Sequence, residues 1–484
     1  MKKAVPNDYD LIVVGAGGAG LSAAVTAAEA GCSVLLLESE DKIGGSTGRS
    51  QGVFAAADTS VQRALGFKDS VDDLFNYLMT ISHWSQPASV VRAYCENAAP
   101  TLEWLIALGL DIPVQHAHKP KNAVWPCASE GPGLYQEGVD YPPRGHYPVG
   151  SGQAYIDVLD QRRAVLGVEL ALGTRVQKLL MDGERVVGVE FGDQAVHSAA
   201  VAVTCGGFGH DRELIRKYFP AAYESIPEGE HPTTIAAPGS RGDGVRMALQ
   251  AGASISGINC GLLNTRPSIR RTPEMPPFLG LQPTSLIYVN RDGHRFIDET
   301  APYAVMPSAI RAQGHVVWGI FDEAARLASD PAKSGWPPEF ILQCVERGDL
   351  KSADTIEALA DLCKIPAAPL RAAIEQYNKD LPLGRDHIFL RKLEGLHPIL
   401  KPPFYAFEYR ANDIAHTAAG MTIDAEAHVL NPLGRIIPGL FAAGEMGAGV
   451  LGPVYPGGGY SVGNAITMGR VAAKTLAREL GRGA

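Results

Sequence analysis

Three glycines and one acid carry the first legible chemistry in this chain. Gly15, Gly17 and Gly20 stand at GxGxxG spacing, and Glu38 follows about 20 residues on. At this spacing the first glycine permits a tight turn, the second lets a pyrophosphate come against the backbone, and the third lets a helix pack on a strand. A carboxylate at Glu38 can accept ribose hydroxyls. The chemistry implied is the holding of a dinucleotide, with phosphates at a helix N-terminus where free N–H groups and the helix dipole favour negative charge. Two strands and a helix must position these groups. The run Leu11–Val14 reads as a strand buried on both faces, a small-residue helix runs to Ala30, Gly31 ends it, and Ser33–Leu37 is a second buried strand.

The totals set the frame. At 484 residues the chain is long enough for two domains. Its composition is that of a globular protein, 46% hydrophobic and 20% charged, and its net charge of −9 argues against a nucleic-acid partner. No apolar run reaches the ~18 residues that cross a bilayer. The basic Met1-Lys2-Lys3 leads straight into the nucleotide-binding strand, so no signal peptide is read and a cytoplasmic location is expected. Seven cysteines with no CxxC pair fit reduced thiols, Cys205 reads as a buried small hydrophobe in a strand, and no metal site is expected.

Along the chain, Gly44–Gly52 is a run of small and hydroxyl residues that can lie flat against a second part of the cofactor. Apolar spacing predicts helices over 71–81, 88–108 and 150–166, strands within 168–192, and a buried strand from Ala199 toward Phe208. Residues 109–150 are rich in Pro, Gly, His and Tyr, a long irregular stretch of the sort that is usually functional or disordered. From about residue 264 the character changes. A strand over 285–290 and helices over 319–330, 339–347, 354–364 and 367–377 are expected there. The strand–turn logic returns near 412, with Gly439–Glu445 running into a turn and a final helix from Val462 to Leu480, capped by Ser461. The expected fold is α/β: a Rossmann-like domain built from both chain ends (1–263 and 412–484) with an inserted α+β catalytic or capping domain over 264–411.

Together GAGGAG at 15–20, GGST at 44–47, CGGF at 205–208, RFIDE at 295–299, GLFAAGE at 439–445 and GNAI at 463–466 resemble the superfamily of fumarate reductase and succinate dehydrogenase flavoproteins and 3-ketosteroid dehydrogenases. The resemblance covers nearly the whole chain and implies FAD. It places the pyrophosphate at Gly15, Gly17, Ala19 and Gly20, and the adenosine ribose at Glu38. Gly45, Ser46, Thr47 and Gly52 fall on the flavin side, Val176 at the adenine, Gly206 in the CGGF turn, Gly444 and Glu445 at the ribityl chain. Ser461, Val462 and Ala465 start the final helix, whose N-terminus should face the flavin pyrimidine ring. No histidine stands in 44–52, where succinate dehydrogenases attach the cofactor covalently, so non-covalent FAD is expected.

The fumarate branch grips a dicarboxylate with arginines. Their positions here hold Tyr303 and Tyr460, and the first histidine of the branch's His-x-Thr-Met-Gly-Gly falls on Ala415, with His416 offset by one and read as structural. The resemblance points instead to the ketosteroid Δ1-dehydrogenase branch. Pro302-Tyr303 resembles its catalytic tyrosine, Tyr455-Pro456-Gly457-Gly458-Gly459 its ketone-binding segment, and Tyr141 its third tyrosine, a role for which Tyr147 competes. In that chemistry Tyr455 O–H and Gly459 N–H hold the ketone oxygen and stabilise a developing enolate. Tyr303 takes the α-proton, its reference pKa of about 10 lowered by neighbours such as Tyr141, and the hydride goes to flavin N5. The expected substrate is a small-molecule cyclic ketone, a steroid or a cyclohexanone, and the expected electron acceptor is an external quinone or redox protein. Two rivals stand beside this reading: an ene-reductase of enones or enoates, and a flavoprotein that only carries electrons. The chain has no haem or ferredoxin cysteine motif, which favours the dehydrogenase.

Overall fold

The computed structural model describes residues 8–112, 142–224, 226–269, 283, 285–301, 305–314, 316–329 and 336–482, with the backbone of 124–125. The chain divides into two compact units. The first takes the described residues up to Pro220, then Thr234–Leu262 and Ile414 onward; the second takes Ala221–Thr233 and Leu263–Asp413. The segment Ala221–Thr233, read from sequence as part of the first domain, thus belongs with the second.

In the first unit, strand Tyr9–Val14 is the centre of a parallel sheet, with Val34–Leu37 on one side and Gln194–Val203 on the other. Glu169–Ala171 continues it beyond Val34–Leu37, and Ile436–Ala442 beyond Gln194–Val203, so residues more than 400 positions apart share one sheet. Leu11 to Val14 are at most 5% exposed because helices must cover a parallel sheet on both faces. The first helix, Gly18–Glu29, and the last, Tyr460–Glu479, lie together on this sheet. Small residues make the approach possible: a Cβ on Gly469 would stand 2.3 Å from Ala19 O, and Ser22 Oγ donates to Ile466 O at 2.9 Å.

The second unit is built on an antiparallel sheet in which Val317–Asp322 pairs with Ile287–Asn290 and with the long strand Phe404–Thr417. Residues of alternate parity feed two cores, Tyr288, Phe321 and Phe407 on one face and Ile287, Ile320 and Ala406 on the other. This corrects the helix expected over 319–330. All six residues of Val317–Asp322 are buried, so no alternation marks them as a strand, and only Glu323–Leu327 is helical. The strand logic expected near 412 likewise falls inside Phe404–Thr417.

Candidate active site

The glycine turn follows from sterics. Gly15 has φ +102°, and a Cβ there would lie 2.6 Å from Cys205 Cα. A Cβ on Gly20 would lie 1.8 Å from Gly15 O, so nothing larger lets the helix pack on its own turn. Gly17 differs from both. It is the N-cap of the first helix, with φ −81°. Its Cβ would meet no protein atom nearer than Gly44 O at 3.9 Å, and it alone between Leu11 and Ala27 is not buried. The backbone therefore opens a slot at Gly17, bordered by the bridge from Gly17 to Gly44. A slot at a helix N-terminus, with a side chain excluded, fits a pyrophosphate.

Groups that suit the rest of a dinucleotide flank this slot. Glu38 is 8% exposed; its Oε2 accepts from Ala16 N–H at 2.8 Å and its Oε1 from Glu40 N–H at 2.9 Å. Its carbonyl accepts from Thr174 N–H, which sets buried Val176 two residues beyond. The short helix Gly45–Arg49 holds Thr47 Oγ1 where a Cβ on Gly18 would come within 2.7 Å, and Ser46 Oγ accepts from Ala237 N–H. Gly52, at φ +74°, has its carbonyl held by Tyr155 O–H and no room for a Cβ against Ser151. Thr204 Oγ1 donates to Val14 O and Gly15 O, which ties the turn containing Gly206 to the glycine turn. Cys205 lies in that turn rather than in the strand before it, its thiol pushed up to about 12 by burial.

Gly444, at φ +72°, faces Ala19 Cβ and Ala465 Cβ, so the turn after Ala442 sits where the first and last helices converge. The next residue, Glu445, has its Oε2 near Thr417, accepting from N–H at 3.2 Å and Oγ1 at 3.1 Å. Protein crowds the carboxyl on most sides, and burial pushes its pKa up to about 7. Such a carboxyl suits a ligand hydroxyl that can donate to it.

The last helix begins at Tyr460 with Gly459 as N-cap, which corrects the cap expected at Ser461 and the start expected at Val462. Gly459 has φ +98°, its Cβ would lie 2.8 Å from Ala55 N, and its carbonyl accepts from that N–H at 3.1 Å. Only glycine fits, so serine moves into the first turn. There Ser461 Oγ donates to Tyr455 Oη at 3.3 Å and lies 3.2 Å from His416 Nδ1. The His416 and Tyr455 rings are 5.1 Å apart. Burial holds His416 neutral, its pKa lowered to about 4. Given Ser461 as donor to Tyr455, the consistent tautomer has Nδ1–H donating to Ser461, a chain that polarises the phenol. Sequence reasoning set His416 aside because it matched no motif position. The alternation of Phe404–Thr417, which turns His416 inward, is the signal that could have found it.

Tyr460 is fully buried and packs against Tyr77 and Tyr94, ring centroids 6.4 and 6.3 Å away. Tyr77 O–H donates to Pro456 O at 2.6 Å and braces the segment before Gly459. Arg144 lies 5.4 Å from the Tyr77 ring but is bound bidentately to Asp69, both contacts 2.7 Å. Tyr147 follows His146, whose strand pairs with Phe54–Ala55, the residues against which Gly459 packs. Tyr303 and Tyr141 lie outside the described residues. Among the described residues, the cluster that could hold a cation, Asp380, Asp386 and His387, is in the second unit, and Arg295 already pairs with Asp386.

Fold and slot together define a dinucleotide-binding α/β protein. The profile of the FAD binding domain family matches residues 10–462, so the chain belongs to that family and binds FAD. It is 29% identical to the vinyl phenol reductase of Lactiplantibacillus plantarum, over 94% of this chain and 93% of that one. It is 26% identical to the 3-oxosteroid 1-dehydrogenase of Mycolicibacterium smegmatis, over 97% of each. The 3-ketosteroid Δ1-dehydrogenase of Sterolibacterium denitrificans has the same fold, with a TM-score of 0.81 and 24% identity over 98% of this chain and 100% of that one. The chain spans about half the length (48%) of another relative, the NADH:fumarate oxidoreductase of Klebsiella pneumoniae, at 27% identity.

Proposed function

We propose that this protein is a dehydrogenase that desaturates a cyclic ketone beside its carbonyl. The observation that carries this reading is the Tyr455–Ser461–His416 chain at the N-terminus of the last helix, next to Gly459 and with Tyr460 where a dicarboxylate enzyme needs an arginine. A ketone oxygen held by Tyr455 O–H and Gly459 N–H gains charge as its α-proton leaves, and both donors and the helix dipole favour that charge. Neutral His416 relays through Ser461 and strengthens the phenol as a donor without offering a competing charge. Tyr303 takes the α-proton, and Tyr141 or Tyr147 lowers its pKa. FAD, when bound, supplies the acceptor for the hydride lost at the β-carbon. The slot at Gly17, Glu38, the 44–52 loop, Val176 and Glu445 would hold it non-covalently. A quinone or redox protein takes the electrons onward from this cytoplasmic enzyme.

The second reading, reduction of the carbon–carbon double bond of an enone or enoate, is favoured by relatives named vinyl phenol reductase and urocanate reductase. For an enone the same groups serve both directions, since the oxygen that must be held is the same one; an enoate would need a partner for its carboxylate as well.

Substitution separates the roles. Tyr303→Phe should cost ~10²–10⁴-fold in turnover. Tyr455→Phe should cost ~10²–10³-fold and weaken ketone binding as well. If Tyr303→Phe raises only KM, the base lies elsewhere. If both variants are silent, the ketone reading fails and the FAD fold alone remains.

A further inference from the structure

In the second unit, residues 384–393 form a narrow finger closed by Leu393 N–H to Gly384 O at 3.0 Å and Asp386 N–H to Arg391 O at 2.9 Å, with Arg385 bridged to Lys392. Its tip is braced from within. Buried Asp386 accepts the N–H groups of Ile388 and Phe389 at 2.8 and 2.7 Å and pairs with Arg295. Buried Arg391 holds Leu286 O and Glu299, both at 2.8 Å, and the Arg295 guanidinium lies 5.0 Å from the Phe389 ring. Phe389 is thus turned in.

The neighbours of Phe389 are turned out: Ile388 is 58% and Leu390 56% exposed, flanked by Leu383 at 73% and Leu400 at 63%. Leu390 also sits at φ +61°, a conformation that suits glycine and strains leucine. The fold thus keeps an apolar tip hydrogen-bonded in place with more than half of its side-chain surface in water. The exposed charges near it in sequence are mostly positive, although Glu375 on the preceding helix is also exposed. Lys379, Arg385, Lys392 and Lys401 are exposed, with Glu394 the only exposed acid from 379 to 402, in a protein of net charge −9.

We propose that this finger and its Leu383 and Leu400 flank dock on the surface of an anionic lipid bilayer, the aliphatic tip entering the interface and the cations meeting the headgroups. No described helix is long and apolar enough to cross a membrane. The inference stands independently of the ketone chemistry.

The test is flotation of the FAD-loaded full chain with vesicles of phosphatidylcholine alone or of equal parts phosphatidylcholine and phosphatidylglycerol. The protein should float with the anionic vesicles, and should be released when salt shortens the Debye length from ~10 Å to ~3 Å. Leu390→Gly relieves backbone strain, so its melting temperature should hold or rise while binding weakens roughly tenfold. Lys392→Glu should weaken binding by a similar factor. No flotation, or flotation that these variants leave unchanged, would overturn the proposal. A dimer in light scattering that Leu390→Gly disperses, without vesicle binding, would assign the patch to a second copy of the chain instead.

Discussion

Alanine at Gly17 and at Gly20 should have opposite consequences, although both add one methyl to the same motif. At Gly17 the backbone, φ −81°, suits alanine, and the new Cβ would find Gly44 O at 3.9 Å and Gly45 Cα at 4.0 Å, ordinary contact distances. Alanine is a poorer N-cap than glycine but loses less chain entropy on folding, and the two effects offset to within about 1 kcal/mol. The apoprotein should therefore fold and melt as the parent does. The methyl nevertheless stands in the slot proposed for the pyrophosphate, whose oxygens would have to reach backbone N–H groups there. Losing two charge-assisted hydrogen bonds of about 1.5–3 kcal/mol each predicts FAD affinity ~10²–10⁴-fold weaker. At Gly20 the Cβ would lie 1.8 Å from Gly15 O, so the turn or the helix must move, and we expect loss of the folded protein. Circular dichroism melts of the apoproteins, paired with fluorescence titration of FAD, read both outcomes. Gly17→Ala binding FAD with parental affinity would refute the placement of the pyrophosphate; a parental melt for Gly20→Ala would refute the packing argument.

Other expectations follow from the charged groups. Glu445, with its pKa raised to about 7, carries a cost in the folded apoprotein that grows as pH rises from 4.5 toward 7 and persists above. Glu445→Gln should stabilise the apoprotein at pH 8 by about 1–3 kcal/mol while weakening FAD ~10–100-fold; a less stable variant with parental FAD affinity would count against the assignment. His428 bonds Asp424 at 3.0 Å and Glu479 at 2.7 Å, and these hydrogen bonds raise its pKa to about 9. Its contribution is complete below 6.5 and is lost as pH climbs through 9. Solvent at Glu479 screens the pair, so about 1–2 kcal/mol should vanish over that window, and melts of His428→Gln should show a flatter decline than the parent.

The glycine turn was legible in sequence because its constraints are steric and local: Gly15 and Gly20 tolerate nothing larger, and strand, turn and helix follow one another without interruption. The turn that carries Glu445 was legible for a related reason, since it comes directly after a buried strand. Where tertiary contacts decide, reading failed. Serine is the better cap in isolation, yet Ala55 crowds the chain so closely that Gly459 takes the position. Val317–Asp322 carries no period because both of its faces are covered. His416 became a candidate partner of Tyr455 only once Phe404–Thr417 and the last helix were placed together, although the two are 39 residues apart in sequence. Ala221–Thr233 joins the second unit through contacts that no local pattern announces.

The central claim is that Tyr455 and Gly459 hold the oxygen of a ketone whose neighbouring carbons lose hydrogen. Its most direct test is anaerobic mixing of the FAD-loaded protein with a panel of cyclic ketones, from cyclohexanone to 3-ketosteroids, followed by the flavin absorbance in a stopped-flow instrument. At least one saturated cyclic ketone should bleach the flavin, Tyr455→Phe should slow that phase ~10²–10³-fold, and fumarate should not reoxidise the chemically reduced protein. Rapid reoxidation by fumarate, with no bleaching by any ketone, would contradict it.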